Sequence, residues 1–365
     1  MLETLLGTHN KIDQFLESSR DNPSIILYGA GFALTDIVKK LEAYGFSVVA
    51  ICDSDPEKQG KKYRDTYPIM SLAEAEQHFP NARFLISSTS YFDEIYSILD
   101  KAIGKERLCD VDLTCAYFFE KAEFTTFFTE QTSRFRAVYD RLEDSESKQT
   151  YFKVIKAHMT GERKDFEAAS TGTDDLYLFQ SLLKPTADTV YVDCGAYDGD
   201  TVQLFLKAAD AGYSKVFAFE PDPTMQASLQ SIADSENGTV EIIPKGVSDS
   251  DGTVSFLAKG LFSNIVEESD EETITISVAR LDTLLIDKAV SILKMDIEGS
   301  EYDALRGAEQ IIKTHKPKLA ICLYHKVEDL VRIAELILQM VPEYKLRLKH
   351  QSTSCMDTIL FATLD

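Results

Sequence analysis

The sequence predicts an α/β protein with two strand–turn–helix units separated by a helical connector. Residues 190–201 read Val-Tyr-Val-Asp-Cys-Gly-Ala-Tyr-Asp-Gly-Asp-Thr. This is an apolar strand ending in an acid, then a turn holding Gly195 and Gly199, then a helix-like run from Thr201. Residues 24–28 form a similar run that stops at Gly29-Ala-Gly31 before another helical segment. Between the two, residues 114–186 show helical periodicity without strand alternation. A strand that stops at a glycine turn before a helix leaves unpaired N–H groups facing a ligand, as in nucleotide sites.

The 365 residues suffice for two domains. A hydrophobic content of 44% supports packed cores rather than disorder. The charge sum, 38 − 60 = −22, repels phosphate backbones, so no nucleic-acid partner is expected. Lys58, Lys61, Lys62 and Arg64 are the densest basic run, short and interrupted. Six scattered cysteines without a CxxC suit a reducing compartment. The N-terminus lacks the pattern of a signal peptide, and no apolar run has membrane-spanning length, so a cytoplasmic protein without membrane contact is expected.

The first unit, residues 1–113, reads as Rossmann-like. Its second strand, residues 46–51, leads to Asp53, about where a ribose contact belongs. The third glycine position is instead Leu34, which favours a scaffold or docking role over dinucleotide binding. Ser71 with Glu74 opens a capped helix. In the connector, Phe118, Phe119, Phe124, Phe127 and Phe128 suggest a small helical core; residues 161–175 read as a loop and 176–183 as a short helix. The connector is placed to reach over the second unit as a lid, and packing alone explains it equally well.

In that second unit, the strand 216–219 ends at Glu220-Pro221-Asp222-Pro223. A carboxylate there has two oxygens for a vicinal ribose diol. Residues 253–257 and 273–278 read as a hairpin-like pair. The strand 291–295 delivers Asp296-Ile-Glu298-Gly299-Ser300-Glu301, with Ser300 and Asp303 spaced as a capping box. The strand 319–323 ends at Tyr324-His325-Lys326, and residues 344–348 and 358–364 close the sheet as an antiparallel edge pair.

Six blocks in this order, Val192-Asp-Cys-Gly-Ala, Phe219-Glu-Pro, Gly246-Val-Ser-Asp, Leu281-Asp-Thr-Leu-Leu, Lys294-Met-Asp-Ile-Glu-Gly-Ser-Glu and Leu305-Arg-Gly-Ala, resemble FkbM-type methyltransferases. The resemblance covers roughly residues 186–365. The first unit, through Tyr28-Gly-Ala-Gly31 and Asp53-x-Asp-Pro-x-Lys-Gln-Gly60, is similar to a Rossmann-like domain often fused to this family. The resemblance implies a class I, seven-stranded Rossmann-like methyltransferase domain at 187–365, preceded by a smaller Rossmann-like domain at 1–113 and the connector at 114–186. It implies S-adenosylmethionine as donor and O-methylation of a hydroxyl on a sugar, glycan precursor or natural product. Carried over by position, Asp193, Gly195, Ala196, Tyr197, Gly199 and Thr201 line the cofactor's methionine and ribose side. Glu220, with Pro221 fixing its turn, holds the ribose; Ser248 and Asp249 lie near the adenine edge; Asp296 and Glu298 face the reaction.

Methyl transfer to a hydroxyl needs positioning and a base. Asp296, Glu298 and His325 are the candidates. His325 is read as the base, with a purely structural histidine an even alternative. Asp296 orients the acceptor or the sulfonium, and Glu298 acts at the site or braces its turn. Two carboxylates without a third nearby ligand assign no metal. An NAD-dependent sugar-modifying oxidoreductase and a non-catalytic nucleotide- or partner-binding module are the rival readings. The acceptor is a small molecule or glycan of unread identity, and the oligomeric state is open, a homodimer included.

Overall fold

The computed structural model describes residues 2–8, 11–21, 24–31, 34–43, 45–88, 91–109, 121–172, 175–257, 264–265 and 273–365. Its contacts divide the chain into two compact units: residues 1–132, 149–170 and 352–356 in one, and 133–148, 171–351 and 357–365 in the other. The expected connector is shared between them rather than standing as a third part.

In the first unit, β1 (Ser24–Tyr28), β2 (Ser47–Cys52), β3 (Lys62–Tyr63), β4 (Tyr67–Met70), β5 (Arg83–Ile86) and β6 (Leu108–Cys109) form a sheet of order β3-β4-β2-β1-β5-β6. All neighbours are parallel except the β3–β4 pair. Strand side chains alternate between faces. Ile25 and Leu27 therefore pack with α1 (Lys11–Ser18) and α2 (Leu34–Ala43), through Phe15, Leu34, Ile37 and Leu41. Ile26 packs on the opposite face with Phe92 and Leu99 of α4 (Phe92–Ile103). Burial on both faces explains why β1 reads as an unbroken apolar run. The capping box at Ser71 forms and starts α3 (Leu72–His78).

Asp53 lies where a ribose contact was expected, and its carboxylate is already engaged. Oδ2 accepts the Ala30 N–H and the Lys58 ammonium, each at 2.9 Å, and Oδ1 accepts the Asp55 N–H at 2.9 Å. Against the cost of burial, these donors hold its carboxyl below the usual range.

Helices α5 (Lys121–Arg141) and α6 (Ser145–Thr160) follow. Phe124 and Phe128 are fully buried, whereas Phe118 and Phe119 lie outside the described residues. Residues 161–175 are not all loop. They contain α7 (Arg163–Ala169), because Phe166 and Ala169 find a core and Asp165 is held by Lys156 and Thr160 at 2.6 and 2.8 Å. Residues 176–183 form turns instead of a helix. Leu178 adopts φ 54°, and the Asp175 carboxylate accepts the Phe179 and Gln180 N–H groups, both at 2.8 Å.

In the second unit, β7 (Val190–Cys194), β8 (Lys215–Phe219), β9 (Val240–Ile243), β14 (Ile292–Met295), β15 (Lys318–Cys322), β16 (Lys345–His350) and β17 (Thr358–Thr363) form one sheet of order β16-β17-β15-β14-β7-β8-β9. Numbered within the sheet from its first strand, the order is 3-2-1-4-5-7-6. Only β17 runs antiparallel, to both neighbours. A smaller sheet contains β10 (Gly246–Val247), β11 (Gly252–Leu257), β12 (Asn264–Ile265) and β13 (Ile274–Ala279). The expected pairing is present, with Thr253 opposite Ser277 and Phe256 opposite Ile274. Because the chain winds outward from β7 through β8 and β9 and then returns to β14, the strand order reverses between β7 and β14. Open α/β sheets bind ligands at the carboxyl ends of the strands at such a reversal. Among the described residues, no helix is long and apolar enough to cross a membrane.

Candidate active site

Asp193, next to last in β7, has its side chain fully buried, and its ladder partner Lys294, next to last in β14, is 1% exposed. The Lys294 ammonium lies 2.9 Å from Asp193 Oδ1 and donates to the Gly195 carbonyl at 2.7 Å. Burial disfavours that charge, but Asp193 and Asp296 outweigh it and hold the ammonium well above its ordinary value. Burial lifts Asp193, and the ammonium works the other way. Gly195 itself sits at φ 81°, where a Cβ would stand 1.9 Å from the Asp296 carbonyl oxygen. No other residue lets β7 and β14 close up at this point.

Past Gly195 the chain is pinned to β8. The Gly195 and Ala196 N–H groups both donate to the Phe219 carbonyl at 3.0 Å. Tyr197, at φ 46°, donates its N–H to Glu220 Oε2 at 2.9 Å. Glu220 Oε1 accepts the Asp222 N–H at 2.8 Å within the turn that Pro221 opens. Each Glu220 oxygen thus has one backbone donor and retains a lone pair. Burial pushes its carboxyl up. Gly199 caps α8 (Asp200–Ala208) in the left-handed region, and Thr201 is buried in the first turn.

Asp296, Glu298 and His325 come together at the ends of β14 and β15. His325 Nε2 is 3.5 Å from Asp296 Oδ1 and 3.5 Å from Glu298 Oε2. Its Nδ1 is 2.9 Å from Glu301 Oε1, and that oxygen also accepts the Ile297 N–H at 2.7 Å. Glu301 thereby fixes the turn, and Ser300, expected to cap α9 (Glu301–Arg306), makes no side-chain cap. Asp296 receives the Tyr177 hydroxyl on Oδ2 at 3.0 Å and the Tyr324 hydroxyl on Oδ1 at 2.8 Å.

Burial works against a charged His325, but Glu301, then Glu298 and Asp296, outweigh it and raise the ring to about 10. Burial, helped by Asp296 and Glu301, pushes Glu298 up to about 7. Asp296 stays below its usual value despite burial, through Lys294, His325 and the two tyrosines. The three side chains therefore titrate as one coupled cluster rather than singly.

Ser248 and Asp249 find partners around the short helices. The Asp249 carbonyl accepts from Arg280 at 2.7 Å, its carboxylate lies 3.2 Å from Arg306, and the Ser248 carbonyl packs on Gly307. Sequence reasoning gave no role to Lys294, Glu301, Tyr177, Tyr324 or Asp357. A lysine inside the apolar run of β14 was a signal for a buried partner. Asp357, at φ 58° and pushed up to about 6 by burial and Asp296, carries no local signal.

A 3-2-1-4-5-7-6 sheet with an acid-lined strand reversal defines a class I methyltransferase architecture. Residues 193–346 match the model of the methyltransferase FkbM domain. The crystal structure of methyltransferase FkbM from Methylobacillus flagellatus superposes with a TM-score of 0.71 at 23% identity, over 98% of this chain and 94% of that one. The hexuronic acid methyltransferase AglP of Haloferax volcanii is 31% identical over 105 residues. That match spans 28% of this chain and 44% of the relative, less than half its length.

Proposed function

We propose that the chain is an S-adenosylmethionine-dependent O-methyltransferase acting on a sugar or glycan hydroxyl. What supports this is that Glu220 follows β8 while Asp296, Glu298 and His325 follow β14 and β15, at the carboxyl ends of strands on the two sides of the β7–β14 reversal. When bound, the donor supplies an already activated methyl on a sulfonium, so the chain has only to position the acceptor and take up its proton. The residues suit that donor. Glu220 keeps lone pairs for a vicinal diol, and the acids at the strand ends favour a positive sulfonium. The same acids disfavour the diphosphate of a dinucleotide, and Asp53 in the first unit already holds three donors, a lysine among them. Asp193, Gly195, Ala196, Tyr197, Gly199 and Thr201 form the donor's floor, with Ser248 and Asp249 at its adenine edge.

Asp296 orients the acceptor hydroxyl, and the coupled cluster accepts its proton. The partial likeness to a hexuronic acid methyltransferase supports a sugar acceptor. Buried cysteines at 52, 194, 322 and 355, none of them in a disulfide, suit a reducing, cytoplasmic setting. A thermal-shift panel with S-adenosylhomocysteine, NAD and UDP-sugars tests the donor, and mass spectrometry of sugar acceptors for one added methyl tests the reaction. Stabilisation by S-adenosylhomocysteine is expected; stabilisation by NAD alone overturns the reading.

A further inference from the structure

Sequence spacing offered two carboxylates and no third ligand. The fold brings the third, His325, from 27 residues beyond Glu298 (325 − 298). One polar atom each from Asp296, Glu298 and His325 all lie within 4.8 Å of one another. His325 is only 8% exposed, and its Nε2, aimed between the two carboxylates, has no hydrogen-bond partner. Atoms bound at about 2.0–2.2 Å to one ion stand roughly 3.0–3.6 Å apart in octahedral to tetrahedral geometry. Both nitrogen-to-oxygen separations here are 3.5 Å.

The surroundings are those of a ligand set. Glu301 Oε1 stands 2.9 Å from Nδ1, while Nε2 faces the two carboxylates. Carboxylate–histidine–metal triads are built this way. Tyr177 and Tyr324 fix Asp296 from both oxygens, and Glu298 is held at φ 53°.

We propose that Asp296, Glu298 and His325 bind one divalent cation at the carboxyl ends of β14 and β15, with coordination positions left open toward the acceptor. Two carboxylates with one imidazole suit Mn²⁺ or Zn²⁺ better than the all-oxygen preference of Mg²⁺ and Ca²⁺. The open positions take two neighbouring hydroxyl oxygens, as a sugar offers. That role rests on the methyltransferase reading, whereas cation binding does not.

The test is calorimetric titration of the full chain, stripped with a chelator, with MnCl₂ and with ZnCl₂. One ion per chain is expected, with Asp296→Asn and Glu298→Gln each weakening affinity by about tenfold or more. Glu301→Gln, at a residue that stands behind the imidazole and keeps an oxygen for the Ile297 N–H, is expected to weaken it by about 10–100-fold. Circular dichroism confirms that each variant is folded. Absence of stoichiometric binding by the parent chain, or unchanged affinity in folded Asp296→Asn and Glu298→Gln, overturns the site. A separate titration with S-adenosylhomocysteine distinguishes the two readings. Cation binding without cofactor binding keeps the site and removes the methyltransferase reading, and the converse result removes the site alone.

Discussion

At the scale of single residues, the charge balance of the site turns on Lys294. It is buried against Asp193 and bonded to the Gly195 carbonyl. Lys294→Met keeps the strand's shape but leaves Asp193 as an uncompensated buried acid. Chemical denaturation should show a loss of about 3–5 kcal/mol, and a loss under about 1 kcal/mol would contradict the ion pair. Tyr324→Phe removes one of two hydroxyls on Asp296. Hydrogen bonds to charged groups contribute about 1.5–3 kcal/mol, so a smaller loss of that order is expected in the same assay. The acids and His325 were legible because they sit at strand tips in a recognisable order. Tyr177 was not, because it arrives from a turn that only the left-handed Leu178 allows.

At the scale of elements, tip geometry decides what the strands can hold. Gly195→Ala would place a methyl 1.9 Å from the Asp296 carbonyl at a positive φ. Strain of this kind costs about 1–3 kcal/mol, and parting β7 from β14 should also abolish stabilisation by S-adenosylhomocysteine in a thermal-shift assay. An alanine variant with parental melting temperature and cofactor response would show that the close approach is dispensable. Strands and the inserted pair were readable from apolar runs. Helix bounds and caps were less so, residues 176–183 among them. Residues 163–169 look polar, yet Phe166 and Ala169 supply a buried face. Ser300 has the spacing of a cap, but Glu301 takes over by bonding Ile297.

For the molecule as a whole, the acid-rich site sets how stability varies with pH. Burial first of all, with neighbouring charges, raises Glu298 to about 7, Asp329 to about 7 and Asp357 to about 6, and carboxylates raise His325 to about 10. Every one of these groups binds its proton more tightly folded than unfolded. Their contribution is therefore complete below the unfolded values and is lost as pH rises through the folded ones. In chelator, the melting temperature should fall steadily from about pH 5 to pH 8 and beyond. A rise over that interval would contradict the assigned shifts. The strand order 3-2-1-4-5-7-6 was not readable locally, since it depends on which distant strands pair. The ordered sequence blocks carried it only through resemblance.

That order also has a consequence for how the chain acquires its site in time. Val192 pairs with Leu293, 101 positions later (293 − 192), so the central ladder joins strands made far apart. During synthesis, β7 and its glycine turn emerge well before Lys294 and Asp296 exist to neutralise or flank them. Long-range pairing of this kind is slow to form. The proposed cofactor floor is thus among the last parts to become competent, and a nascent chain stopped before β14 should display Asp193 to solvent and bind no S-adenosylhomocysteine.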